Sequence, residues 1–218
     1  VPTVPFDYDS DPARVRSCDP SWQVGGDVHE PVAARIVAED LRPVLDVGGG
    51  PGRLLERLPA GWPAWIIDCS PTQLADAPGG RVLADAAQLP VASSRVGVVA
   101  MLWMLYHCAE PHVAIAEARR VLHSGGLFLA WTASRRNDPE LTDGYPPTPF
   151  DAEEAPALVA GVFGDVEVRT WDAPMTRLPD RTAVEQYCRG HSLPRSAADR
   201  VDPPVWLTKR GCLVSARR

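Results

Sequence analysis

The chain of 218 residues has little organised cysteine, no long apolar run and no excess of positive charge. Its five cysteines, Cys18, Cys69, Cys108, Cys188 and Cys212, are scattered, and no two stand at a Cys-x-x-Cys spacing. An odd, dispersed set in a chain this long points to reduced thiols in a cytoplasmic protein, not to a disulfide framework or a zinc site. No apolar run approaches the ~18 residues of a membrane span. No basic segment followed by an apolar one opens the chain, so no secretory signal is expected. The formal net charge is −6, which argues against a nucleic-acid partner, whose phosphates call for a basic face. Internal repeats and low-complexity tracts are absent. The remaining composition, 45% hydrophobic and 23% charged, suits one α/β domain with a substantial core.

The stretch that organises the chain is Val44-Leu45-Asp46-Val47-Gly48-Gly49-Gly50-Pro51-Gly52. Three apolar residues around Asp46 suit a central parallel strand covered on both faces. The glycines after it permit positive φ and close approach of the backbone to a ligand. A helix expected over Arg53–Leu58 would aim free N–H groups into the turn.

Elsewhere, His29–Leu41 has helical spacing, with Pro31 suited to a first turn. Ala64–Asp68 and Arg81–Asp85 read as further strands, and Ser70-Pro71 as a helix start. Val96–Leu102 is a continuous apolar strand, Pro111–Leu122 a helix and Leu127–Trp131 a fifth strand. Alternation of strands and helices predicts a Rossmann-like, doubly wound α/β sheet. Beyond residue 131 the pattern changes: a helix near Glu153–Ala160, a strand Val166–Trp171, a helix Arg181–Arg189, a loop Ser192–Pro204 and a last strand Cys212–Ala216. The two final strands suit an antiparallel edge on a parallel sheet. The expected organisation is one domain over 1–218. Residues 1–28, with isolated aromatics Phe6, Tyr8 and Trp22, form an arm or lid, and 132–165 and 174–205 are substrate-side insertions.

Three consecutive strands end in an acid: Asp46, Asp68 and Asp85. Ligands of open α/β sheets sit beyond the carboxyl ends of the strands, so the three carboxylates would line one crevice. Carboxylates only accept hydrogen bonds, which suits a ribose diol, an exocyclic amine or an ammonium. A dinucleotide fold uses Gly-x-Gly-x-x-Gly. Here the glycines run Gly48, Gly50, Gly52 and the third place is not filled. Asp46 just before the turn would also oppose a pyrophosphate and welcome a cationic ligand. S-adenosylmethionine, with a sulfonium and an ammonium and no phosphate, fits better than a nicotinamide dinucleotide.

Residues 44–131 resemble the core of class I S-adenosylmethionine-dependent methyltransferases, close to the small, type 11-like bacterial enzymes of natural-product pathways. The resemblance rests on the glycine block and on Ile66-Ile67-Asp68-Cys69-Ser70-Pro71, Ala84-Asp85-Ala86 and Met104-Leu105-Tyr106-His107, and on the run from Glu117 to Gly126. It implies about seven strands in the order 3-2-1-4-5-7-6, strand 7 antiparallel. It also implies that Asp46 anchors the methionine ammonium, Gly48 and Gly50 let the backbone pass the cofactor, and Asp68 accepts the ribose hydroxyls beside Cys69 and Ser70. Asp85 would take the adenine amine, Ala86 the ring edge, and Met101 and Leu102 the methionine part through backbone. One departure is Gly97, where the family commonly has an Asp at the start of strand 4.

Methyl transfer from a sulfonium is an in-line displacement in which alignment alone contributes about 7–11 kcal/mol, so a base is optional. His107, just after strand 4, is the candidate base for a hydroxyl or amine; packing beneath the cofactor is its structural alternative. Tyr8, Trp22, Trp103, Trp131 and Tyr145 would form an aromatic wall for the substrate. The expected function is methyl transfer to O or N of a small molecule in secondary metabolism, with no metal and no membrane partner, by a monomer or homodimer. The alternatives are an RNA methyltransferase and a non-catalytic cofactor-binding protein of the same fold.

Overall fold

The middle of the sheet is apolar on both faces because helices cover both. A computed structural model describes residues 8–9, 18–24 and 27–218. Its strands are β1 (Val44–Val47), β2 (Ala64–Asp68), β3 (Gly80–Leu83), β4 (Val96–Leu102), β5 (Leu122–Ala133), β6 (Val166–Leu178) and β7 (Val205–Arg217). They form one sheet in the order β3-β2-β1-β4-β5-β7-β6. β1 to β5 pair in parallel, and β7 runs antiparallel to both β5 and β6. The expected order and the antiparallel strand are both observed.

All seven residues of β4 are buried, and they alternate between two apolar layers. Val99 and Met101 pack with Ile115, Ala118 and Val121 of the helix Pro111–Val121. Val98, Ala100 and Leu102 pack with Val32, Ala33 and Ile36 of the helix His29–Ala38. These helices are α3 and α1; α2 is the short Pro71–Leu74, α4 is Ala155–Phe163 and α5 is Arg181–Gly190. A third apolar cluster joins Leu178 of β6, Leu207 of β7 and Ala183, Val184 and Tyr187 of α5, with Cys18 and Trp22 against it.

Gly97, the departure from the family pattern, has a spatial reason. A Cβ there would lie 2.6 Å from the Arg42 carbonyl oxygen and 2.7 Å from its nitrogen. The backbone of Arg42 fills the space a side chain would need.

Three expectations are corrected. Arg53–Leu58 is not an α-helix but a turn followed by the 3-10 segment Leu55–Arg57. Gly52 at φ +85° precedes it and Pro59 follows, which leaves room for little more than one turn. The last two strands are longer than read, 13 residues each. Pro174 suggests a break, but β6 is an edge strand, where proline is tolerated, and the ladder shifts register between Pro174 and Thr176. Ser192–Pro204 contains a 3-10 segment, Arg195–Arg200. Residues 174–205 are therefore mostly regular structure. Of the N-terminal arm, Phe6 lies outside the described residues, while Gln23 bridges to Thr176 of β6.

Candidate active site

The carboxyl ends of β1 to β4 open on one cavity of about 640 Å³. Gly48 and Gly50 turn the chain away from β1 at φ +69° and +51°, a region that side-chain-bearing residues rarely adopt. A Cβ on Gly48 would also sit 2.5 Å from the Met104 Cβ, so glycine is required on two grounds. Gly48 and Gly50 line the cavity, as do Asp68, Cys69 and Ser70 at the end of β2. Asp85 and Ala86 after β3, and Leu102 and His107 at and after the end of β4, complete this part of the wall.

Asp68 is tied into the turn. Its Oδ2 accepts the Gly50 N–H at 2.9 Å and its Oδ1 accepts the Ser70 N–H at 2.9 Å. Burial raises its pKa, and the N–H groups of Ser70, Gly50 and Cys69 oppose that rise. Ser70 caps α2 by accepting the Gln73 N–H at 3.1 Å. Asp85 is exposed and accepts the Ala87 N–H at 2.8 Å.

Asp46 lies under the turn and does not itself line the cavity. It is 2% exposed, and its Oδ2 has no hydrogen-bond partner among the described residues. Burial, and then the charge of Asp68, pushes its pKa up to about 7. A Cβ on Gly49 would collide with this carboxylate, so the turn is moulded around it. The cavity's two thiols are held protonated at neutral pH: burial raises Cys69, and burial followed by Asp85 pushes Cys108 up to about 11. Among the described residues no group of three His, Cys, Asp or Glu side chains could hold a metal ion.

A second cavity of about 410 Å³ shares Tyr8, Pro51, Arg53, Gln73 and Trp103 with the first. Trp103 takes φ +61°, an outlying conformation for a bulky residue, as the chain leaves β4. The Tyr8 hydroxyl is 2.8 Å from His107 Nε2, with the two rings edge to face at 5.2 Å. Trp22 lines the second cavity.

Besides Asp46, expected to line the crevice with Asp68 and Asp85, three residues fall elsewhere than expected. Met101 is fully buried and pairs with Ala130 inside the sheet. β4 ends at Leu102 as expected, and because the ladder runs to that residue Met101 stays inside the sheet. Trp131 pairs with Leu102 and Leu213 because β5 runs on to Ala133. Its ring stacks on Trp171 at 3.9 Å and borders neither cavity. Tyr145 also borders neither; its hydroxyl donates to the buried Asp138 at 2.9 Å. In the other direction, Arg53, Gln73 and Cys108 line the first cavity although no sequence motif marks them. His29 reaches it because its segment folds over the site and its ring bonds Asp27.

Residues 45–130 match the family described as methyltransferase domain. Over these residues the chain is similar to a methyltransferase domain, and the seven-stranded sheet has the strand order of the class I methyltransferase fold. The chain is similar to the ubiquinone/menaquinone biosynthesis C-methyltransferase UbiE of Acidiphilium cryptum (strain JF-5). The two are 32% identical over 162 residues, which is 68% of this chain and 64% of the relative, so just under two thirds of the relative's length is matched. Among solved structures, the [4+2]-cyclase SpnF superposes with a TM-score of 0.66 at 18% identity, over 100% of this chain and 98% of that one. The YcgJ protein of Bacillus subtilis gives 0.62 at 15% identity, over 87% and 99%. At such identities these two likenesses concern the fold alone. Among the described residues no helix is long and apolar enough to cross a membrane.

Proposed function

We propose that the whole chain transfers a methyl group from S-adenosylmethionine, held in the larger cavity, to an oxygen or nitrogen of a small molecule in the adjoining one. The observation that carries this reading is the buried Asp46 oxygen left without a partner beneath the glycine turn. A carboxylate oxygen in that position favours a cationic donor such as the methionine ammonium, held through a bridging water or by its charge across the turn because Asp46 does not itself line the cavity. The rest of the wall fits the same molecule. Asp68 has lone pairs left after accepting two backbone N–H groups and suits a ribose diol. Asp85 and Ala86 stand where the adenine edge would lie. The space over Gly50 is open to the cofactor: a Cβ placed there would meet only the Gln73 side chain, at 3.6 Å.

When bound, S-adenosylmethionine supplies an electrophilic methyl on sulfur. The protein aligns the acceptor with it and excludes water. Tyr8 borders both cavities and touches His107. A phenol that donates to His107 Nε2 leaves its own oxygen to receive the acceptor's proton, so the pair can take one proton from an O–H or N–H group. A natural-product role is in keeping with a small-molecule cavity. Carbon as the acceptor atom is a second reading, favoured by the name of the curated relative. The cyclase on a similar fold illustrates that architecture alone does not set the reaction.

The test is incubation with S-adenosylmethionine and a panel of phenols, amines and acids, followed by mass analysis. Formation of S-adenosylhomocysteine together with a product heavier by one CH2 supports the reading. Binding of S-adenosylhomocysteine without turnover on any acceptor favours a non-catalytic role.

A further inference from the structure

Of the 22 lysine and arginine residues in the sequence, one is lysine: Lys209. It stands on β7 opposite Ala173 of β6, and its side chain is only 14% exposed. Nζ donates to Asp138 Oδ1 at 2.7 Å and to the Tyr187 hydroxyl at 2.5 Å. Asp138 is fully buried and also accepts hydrogen bonds from Asn137, Tyr145 and Tyr187. Burial and the neighbouring Asp138 hold the Tyr187 phenol well above its ordinary pKa, so it remains a hydroxyl.

An ammonium carries three N–H donors. Two are used here; the third has no partner among the described residues, and the side chain borders the second cavity. Its charge is already balanced by Asp138, so what it offers the cavity is a directed donor and not an unscreened cation. A guanidinium would bring a planar fork of five donors to a niche with two acceptor oxygens. The same cavity has aromatic faces from Trp22, Trp103 and Tyr106, and Arg53, whose guanidinium has no ion pair or hydrogen bond among the described residues, stands on the wall shared with the first cavity. Of the acids at the rim, Asp19 is engaged by the Ser21 N–H at 2.8 Å and Asp76 is exposed.

We propose that the second cavity takes a small aromatic methyl acceptor bearing an acyl oxygen, carboxylate or carbonyl, which receives the third N–H of Lys209. This rests on the reading that the first cavity holds the methyl donor. About 410 Å³ accommodates one substituted ring system, at the lower end of the range for small-molecule sites. The aromatic walls supply stacking, and Lys209 orients the ring so that a nucleophilic substituent can reach past Trp103 and Tyr8 toward the first cavity.

The single lysine provides the test. The 218-residue chain grown with lysine labelled with 13C at Cε gives one side-chain signal, observed with S-adenosylhomocysteine bound. Benzoate and benzamide are expected to shift that signal, and benzylamine, which lacks an acyl oxygen, to leave it in place. An equal response to benzylamine, or no response to either acyl probe, overturns the proposal. In the paired variant Lys209→Met with Asp138→Asn, which strands neither charge, benzoate affinity is expected to fall at least about tenfold with S-adenosylhomocysteine affinity retained. Unchanged benzoate affinity overturns the proposal. The wild-type measurement needs no substitution and decides the matter if that variant fails to fold. Failure of the wild type to bind S-adenosylhomocysteine would overturn the donor-site reading, which is a different result from a missing acyl response in protein that binds it.

Discussion

Gly50 donates its backbone N–H to Asp68 Oδ2 at 2.9 Å, so the acid that ends β2 holds the turn that leaves β1. With Oδ1 on the Ser70 N–H, the carboxylate cannot swing, and its remaining lone pairs keep one orientation. Replacement by alanine removes the acceptor of two backbone N–H groups and, on the proposed assignment, the acceptor for the cofactor's ribose. Asp68→Ala is expected to weaken S-adenosylhomocysteine binding at least tenfold and to lower stability by roughly 1–3 kcal/mol. Calorimetry and denaturant unfolding measure the two effects separately, and an unchanged affinity would contradict the assignment of Asp68 to the donor site.

Gly48 and Gly61 both have positive φ, +69° and +78°, but only Gly48 is crowded: nothing lies within 4 Å of a Cβ placed on Gly61. Gly61→Ala should therefore cost about 1–2 kcal/mol, the left-handed conformation alone. Gly48→Ala adds a collision with Met104 and should cost clearly more, with loss of cofactor affinity. Equal melting shifts for the two variants would show that the turn yields.

Asp46 gives the stability of the ligand-free protein an unusual pH slope. Its pKa rises from 3.8 to about 7 on folding, chiefly through burial. Between those values the folded state holds a proton that the unfolded state has released, so stability falls as pH rises from about 4 to about 7 and then levels. The group's contribution over that window is of order 4 kcal/mol at most, at about 1.4 kcal/mol per pKa unit. A bound ammonium favours the ionised form, so S-adenosylhomocysteine should bind more tightly as pH rises toward 8, with release of a proton. Asp46→Asn should flatten both profiles; profiles that survive the substitution would place the titration elsewhere.

Tyr8 and His107 form the proposed proton acceptor. Tyr8→Phe and His107→Ala are each expected to lower kcat by about a hundredfold or more, with acceptor KM and cofactor affinity less affected. Such losses should shrink for acceptors that are already anionic. Full activity in both variants would leave the pair a packing contact.

Much of the donor half was legible because it is written locally. The apolar runs of β2 and β4 and the Ser70-Pro71 helix start are short local patterns, and Asp68 ends β2 as read, whereas Asp46 lies one residue inside the end of β1 and Asp85 two residues beyond β3. The misses share a different cause. The end of β5 depends on which strands pair beside it, which put Trp131 inside the sheet, and Met101 stays within the ladder although β4 ends at Leu102 as read. The helix expected over Arg53–Leu58 fails because Gly52 and Pro59 bracket too short a span, and that limit outweighs the apolar pattern between them. The Lys209, Asp138 and Tyr187 cluster joins residues as much as 71 positions apart, and no local period announces it. The single lysine was the one available signal.

The central claim is that the turn after β1 and the acids beside it bind S-adenosylmethionine and not a dinucleotide. Titration calorimetry of the unmodified full chain with S-adenosylhomocysteine and, separately, with NAD tests it most directly. The account predicts saturable one-to-one binding of S-adenosylhomocysteine and no heat of binding from NAD. Binding of NAD with none of S-adenosylhomocysteine would contradict it.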